Sequence, residues 1–210
     1  MNKISNGGLY LIADPSIPHD KLLGKLRIAL KCGIAAIQLW NNPRTRLNLE
    51  TLVKPAIDLC RQYNTPLIIN NEWKLLKELP LDGVHFDAAP PDIEAIRKEI
   101  GRDFITGITC GNDLKAVEWA HQHEISYISF CSIFPSSSAD GCELVNFETI
   151  KTARELTGIP IFLAGGLSPE NLKRLNGLNY NGLAVISAIM NADDTAEAVK
   201  YYNDFLHHRQ

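Results

Sequence analysis

Residues 160–171 read PIFLAGGLSPEN. A short apolar run, Pro160–Ala164, ends in Gly165 and Gly166, and Ser168-Pro169 then stands as the N-cap and first-turn pair of a helix. A strand that turns through glycine into a helix is the βα unit of a parallel sheet. The same unit recurs in both directions. Strand-like runs occur at Leu9–Asp14 (LYLIAD), Ala35–Trp40 (AAIQLW), Pro66–Asn70 (PLIIN), Gly83–Phe86 (GVHF), Ile105–Thr109 (ITGIT), Tyr127–Cys131 (YISFC) and Gly182–Ser187 (GLAVIS), which with Pro160–Ala164 makes eight.

Helical periodicity fills the intervals. In LETLVKPAIDLC, Leu49, Leu52, Val53, Ala56, Ile57 and Cys60 line one face, and Pro55 marks a kink or a start. Asp113 opens DLKAVEWAHQH, Asn146 is an N-cap for NFETIKTAREL, and a last helix from about Thr195 to His208 turns Ala196, Val199, Tyr202 and Leu206 inward. Eight strands alternating with eight helices predict a closed parallel (β/α)8 TIM barrel, a single domain over residues 1–210. The alternative is an open doubly wound sheet, but no G-x-G-x-x-G follows the first strand.

Composition narrows the function classes. With 45% hydrophobic and 21% charged residues and a net charge of -3, the chain reads as an ordinary globular protein without the basic density that nucleic acid requires. Its first residues do not form a signal peptide and no run approaches a membrane span. The five cysteines are scattered with no C-x-x-C pair, so neither zinc nor redox chemistry is indicated. Each cysteine reads as a small buried hydrophobe in a cytoplasmic protein.

In such a barrel the active site is built where the strands end. Those positions hold Asp14, then Gln38 with Trp40 and Asn42, Asn70 with Asn71, and His85 with Asp87. Thr109, Ser136 to Ser138, Gly165 with Gly166, and Ser187 complete the ring. The set is mostly polar and uncharged, which suits hydrogen bonding of a ligand better than metal-assisted chemistry. Gly165, Gly166 and Ser187 occupy the last two strand ends, where backbone N–H groups and a short helix commonly cradle phosphate. Ser136 and Ser138, two apart in IFPSSSADG, place hydroxyl donors beside them.

AAIQLW, PLIINN, DGVHF, SIFPSSSA, IPIFLAGGLSPEN and NGLAVISAI occur in this order over nearly the whole chain. Together they resemble the motifs of thiamine-phosphate synthase and of its relative, the thiazole tautomerase. The resemblance implies a transferase of thiamine biosynthesis that joins hydroxymethylpyrimidine diphosphate to thiazole phosphate and releases diphosphate. Gln38 and Asn70 would bind the pyrimidine. Ser136, Ser138, Gly165, Gly166 and Ser187 would bind the thiazole phosphate, and Thr109 would touch the diphosphate. Mg2+ is the implied cofactor, with Asp87 as its candidate ligand and Asn71 at the position of a metal-binding Asp. The implied partners are these two small molecules, and a homo-oligomer is compatible with the sequence.

The sequence departs from the family pattern at the diphosphate. Trp40 and Asn42 replace an Arg and a Lys, Asn71 replaces a metal-binding Asp, Pro90 stands in ungapped comparison where a second carboxylate lies, and Ala139 replaces a Lys. Each lost contact to developing charge costs roughly 3 kcal/mol. Arg44, Arg46, Asp87 and Asp92 are the candidates to replace the missing groups. Two alternatives follow. One is a thiazole-phosphate tautomerase, which calls for a His at the sixth strand end, where this chain has Phe130-Cys131-Ser132. The other is a barrel that binds thiamine phosphate or thiazole phosphate without turnover. His85 is expected to be structural, and His121, His123, His207 and His208 are expected at the surface.

Overall fold

The computed structural model describes residues 3–41, 48–135 and 143–208. Eight parallel strands, β1 (Gly8–Ala13), β2 (Ala36–Leu39), β3 (Leu67–Asn70), β4 (Gly83–Phe86), β5 (Ile105–Thr109), β6 (Tyr127–Phe130), β7 (Ile161–Ala164) and β8 (Gly182–Val185), close into a barrel in sequence order. Closure is direct: Gly8 pairs with Gly182 and Leu11 with Val185. The expected barrel is therefore the fold, and each expected strand lies within two residues of the observed one.

The helices are α1 (His19–Lys31), α2 (Lys54–Gln62), α3 (Leu75–Glu78), α4 (Ile93–Ile100), α5 (Leu114–Gln122), α6 (Phe147–Leu156), α7 (Ser187–Met190) and α8 (Thr195–His207). The starts of α4, α5, α6 and α8 are set by side chains that satisfy free N–H groups. Asp113 accepts from Lys115 N and Asn146 from Glu148 N, while Asp194 accepts from Ala196 N and Glu197 N. Pro55 lies in the first turn of α2, where its missing N–H costs nothing. A π-helical turn at Leu49–Val53, capped by Asn48, leads into it.

The seventh interval corrects the sequence reading. Ser168 and Pro169 do not open a helix; the chain makes a turn and then a 3-10 helix at Leu172–Leu175. The cause is Asn171, whose side chain accepts from Ser168 N at 3.0 Å and donates to Gly166 O at 2.7 Å. These local bonds compete with the helical ladder and hold the segment against the glycine turn.

Two apolar layers follow from strand alternation. Leu9, Leu11 and Ala13 face the helices, whereas Tyr10 faces the barrel axis with Ile4, Ala36, Ile68, Ile105, Tyr127 and Phe162. The Tyr10, Tyr127 and Phe162 rings meet with centroids 5.5–5.7 Å apart. Tyr127 crosses toward β5 because position 107 is glycine: a Cβ there would lie 2.2 Å from its ring. This filled interior closes the barrel axis beneath the C-terminal ends of the strands, where the cavity described below opens. Cys60 and Cys110 are buried, and burial pushes both thiols up to about 12, as expected of inert core residues. Cys131 instead is half-buried and lines the cavity, and Cys142 lies outside the described residues.

Candidate active site

A cavity of about 230 Å³ opens at the C-terminal ends of the strands. Its polar walls are Tyr10, Gln38, Asn70, His85, Asp87, Thr109, Tyr127 and Ser129; Trp40, Phe162 and small aliphatic residues complete it. A smaller recess of about 60 Å³ holds Gly165, Gly166 and Ser187. The two share Ile12, Cys131, Ala164, Ala184 and Ile186, so they form one continuous space.

The recess has the features of an anion cradle. Gly165 and Gly166 have φ of +87° and +67°, and a Cβ on either would lie 2.4 Å from backbone atoms of Ser132 or Phe134. Only glycine allows this double turn. Among the described residues, the N–H groups of Gly166 and Ser187 donate to no acceptor. Ser187 is exposed at the start of α7, with its hydroxyl free of any described partner. Ser136 and Ser138 lie outside the described residues, as do Asn42, Arg44, Arg46 and Ala139. Pro135, the last described residue before the serines, has its carbonyl oxygen 2.7 Å from the Cβ position of Gly166.

At the opposite wall, Asn70, Asn71 and Asp87 form a closed cluster. Asn70 Nδ2 donates to Asp87 Oδ1 at 2.9 Å and to the His85 carbonyl at 3.2 Å, while its Oδ1 accepts from Asn41 N at 3.3 Å. Asn71, at φ +59°, turns back so that its Nδ2 donates to Asp87 Oδ2 at 2.7 Å and its Oδ1 accepts from Asp87 N at 3.1 Å. This reciprocal pairing fixes which end of the Asn71 amide meets the carboxylate. Asn tolerates the left-handed conformation that the pairing requires.

The cluster bears directly on the implied Mg2+. Both oxygens of Asp87 accept amide N–H groups, and the one oxygen of Asn71 is already engaged. Hard cations need several free oxygen ligands, and among the described residues no group of three His, Cys, Asp or Glu could hold an ion. The described donor set therefore does not fit magnesium. Asp92, the other candidate, caps α4 by accepting from Ala95 N at 2.8 Å and is not among the residues that line the cavity. Asp14 likewise closes its own turn, accepting from Ser16 N at 2.9 Å.

His85 is buried beneath this wall, with Nδ1 2.9 Å from Tyr127 Oη and Nε2 3.0 Å from Thr109 Oγ1. Burial pulls its pKa down to about 4, partly opposed by the Asp87 charge, so the ring is neutral near pH 7. Thr109 lines the cavity but also contacts Ser129 Oγ at 3.1 Å. Tyr10, Tyr127 and Ser129 were not among the expected site residues. The available signal was alternation: Tyr10 with Ile12, and Tyr127 with Ser129, fall on the inward face of strands whose outward neighbours are apolar.

The family model for thiamine monophosphate synthase matches residues 9–189. The thiamine-phosphate synthase of Methylobacillus flagellatus is 31% identical over 93% of both chains. That of Methanobrevibacter smithii is 30% identical over 88% of both. Thiamine-phosphate synthase 1 of Aquifex aeolicus is 32% identical over 91% of this chain and 89% of its own. Among solved structures, a thiamine phosphate pyrophosphorylase from Pyrococcus furiosus shares the fold with a TM-score of 0.79 at 22% identity, covering 98% of this chain and 96% of its own. KGPDC from Streptococcus mutans shares the barrel with a TM-score of 0.69 at 15% identity, over 97% of this chain and 98% of its own. With strand order, glycine cradle and sequence in agreement over the same span, the chain belongs to the thiamine monophosphate synthase family.

Proposed function

We propose that this protein is a thiamine-phosphate synthase-type transferase that joins hydroxymethylpyrimidine diphosphate to thiazole phosphate. The observation that carries this reading is the two-part space itself. A wall of amides and hydroxyls at Gln38, Asn70 and Thr109 runs without interruption into the glycine cradle with Ser187. A heteroaromatic ring suits the first part and a phosphate the second. Ser136 and Ser138 complete the cradle in this reading.

The reaction breaks the C–O bond to diphosphate, whose electron pair leaves with it. The thiazole nitrogen then supplies a pair to the exposed methylene carbon, forming the new C–N bond, so no side-chain nucleophile and no net proton transfer are needed. The protein's part is to hold both rings in line, which turns a two-molecule encounter into a positioned step. Among the described residues, Asp87 is the one charged side chain that lines the larger cavity. Its carboxylate favours the positive charge that develops on the pyrimidine methylene. The leaving diphosphate needs cations, and Arg44 and Arg46 are the residues assigned to it. Mg2+, if recruited, would assist the same departure; the Asn71–Asp87 pairing gives it no ready ligand, and no step is routed through it.

The competing reading is a barrel that binds thiazole phosphate without turnover, and the same pairing favours it. Separate titrations with the two substrates distinguish them. Binding of both supports the transferase, whereas binding of thiazole phosphate alone overturns it. Ser187→Ala should weaken thiazole phosphate about fivefold, the effect of one lost hydrogen bond of about 1 kcal/mol, leaving pyrimidine diphosphate unchanged in the same titrations. Asn71→Asp should replace the amide bridge with a second carboxylate facing Asp87. Electron paramagnetic resonance should then show Mn2+ bound to the variant at least tenfold more tightly than to the parent, an effect of about 1.4 kcal/mol.

A further inference from the structure

Six polar side chains from five strands form one hydrogen-bonded chain across the barrel. Ser129 Oγ is 3.1 Å from Thr109 Oγ1, which is 3.0 Å from His85 Nε2. His85 Nδ1 is 2.9 Å from Tyr127 Oη, which is 2.8 Å from Tyr10 Oη. Tyr10 Oη donates to Gln38 Oε1 at 2.9 Å. The last link sets the direction of all the others, because a carbonyl oxygen only accepts. Tyr10 donates to Gln38, so its oxygen accepts from Tyr127. Tyr127 has then spent its proton and accepts from His85 Nδ1–H. A neutral His85 protonated on Nδ1 accepts at Nε2 from Thr109, and Thr109 accepts from Ser129. Each hydroxyl and the ring N–H donates once. Burial raises both phenols above their ordinary range, so neither breaks the chain by ionising.

The end of the chain lies at the ligand. With its oxygen taken by Tyr10, Gln38 has its NH2 group remaining, and that group has no partner among the described residues. A reversed chain would place the His85 proton on Nε2, make Tyr10 an acceptor and turn the Gln38 carbonyl toward the cavity. We infer that Tyr10, Tyr127 and His85 are positioning residues: the ring tautomer of His85 holds Gln38 as a hydrogen-bond donor, so this wall selects a ligand that presents an acceptor, such as an aromatic ring nitrogen. The identity of that ligand as the pyrimidine substrate rests on the transferase reading. The direction of the chain does not.

Two-bond 1H–15N spectra of the histidine rings, with His85 assigned by comparison with His85→Gln, report the tautomer without any ligand. The expected result is Nδ1–H with an unprotonated Nε2 at pH 7. Tyr127→Phe removes the acceptor for Nδ1–H and should move the ring toward Nε2–H. It should also weaken hydroxymethylpyrimidine diphosphate about tenfold while leaving thiazole phosphate unchanged. Tyr10→Phe, a second variant in case the first fails to fold, removes the link that orders the chain and should lose the same tenfold in pyrimidine affinity. An Nε2–H ring in the parent protein overturns the inference, as does unchanged pyrimidine affinity in the folded variants. An Nδ1–H ring in a protein that does not bind pyrimidine diphosphate would sink the transferase reading and support the directed chain.

Discussion

Gly166→Ala is expected to abolish thiazole-phosphate binding and to destabilise the barrel by about 2–5 kcal/mol. Two costs combine. A side chain at φ +67° carries a conformational cost of about 1–2 kcal/mol. The new Cβ would also lie 2.4 Å from Phe134 O and 2.7 Å from Pro135 O, both backbone atoms that cannot step aside. Forcing a methyl into such a site costs about 1–3 kcal/mol more. Either the cradle opens or the segment leading to Ser136 moves, and both remove the anion site. Gly101→Ala isolates the first cost: its φ is +70°, yet a Cβ there meets nothing within 4 Å. Urea midpoints and thiazole-phosphate titrations of the two variants check this. Gly101→Ala should lose about 1–2 kcal/mol and keep the ligand. Retained binding in Gly166→Ala would show that the glycine turn is not the phosphate site.

The second large effect is acid destabilisation through His85. Its native pKa is about 4 against an ordinary value of 6.5, lowered by burial despite the Asp87 carboxylate. Between those two values the unfolded chain holds a proton that the native chain does not. Stability from this residue is therefore fully present above about pH 6.5 and is lost as pH falls toward 4. The whole span amounts to about 3 kcal/mol. Urea unfolding at pH 7 and at pH 4.5 should show a steeper loss for the parent protein than for His85→Gln, whose surface carboxylates contribute equally in both. Parallel slopes would mean that His85 is charged, or is exposed, in the native state.

The barrel was legible because its signals are local and repeat. Each strand is a short apolar run, and the helix starts at Asn146 and Asp113 are each fixed by one side chain reaching two residues ahead. The exception, Ser168-Pro169, failed for a reason visible only in three dimensions: Asn171 reaches back to Gly166 O and claims the turn. The strand-end rule likewise found Gln38, Asn70, Thr109, Gly165, Gly166 and Ser187, all of which line the shared space. It did not find the relation between Asn71 and Asp87. A lost Asp reads in sequence as a missing metal ligand, whereas in the fold the Asn amide satisfies the neighbouring carboxylate itself. Tyr10 and Tyr127 were hidden for a different reason. Inward-facing tyrosines on short strands look like core, and only their meeting at 2.8 Å, 117 residues apart in sequence, shows a polar chain.

His85 illustrates how the two levels combine. Its place at a strand end suggested either chemistry or structure. Its neutral ring, held at both nitrogens, makes it unsuited to proton transfer and suited to orienting Gln38. The described walls of the cavity thus contain amides, hydroxyls, a neutral imidazole and a single carboxylate. Such a site can align two rings well; whether it also expels diphosphate decides its function.

Single turnover with both substrates decides it most directly. Protein in excess is mixed with hydroxymethylpyrimidine diphosphate and thiazole phosphate, and the quenched mixture is assayed for thiamine phosphate and diphosphate. The transferase account predicts both products in equal amounts, with formation lost in Gly166→Ala. Stable binding of thiazole phosphate with no thiamine phosphate formed would contradict it and leave a binding barrel.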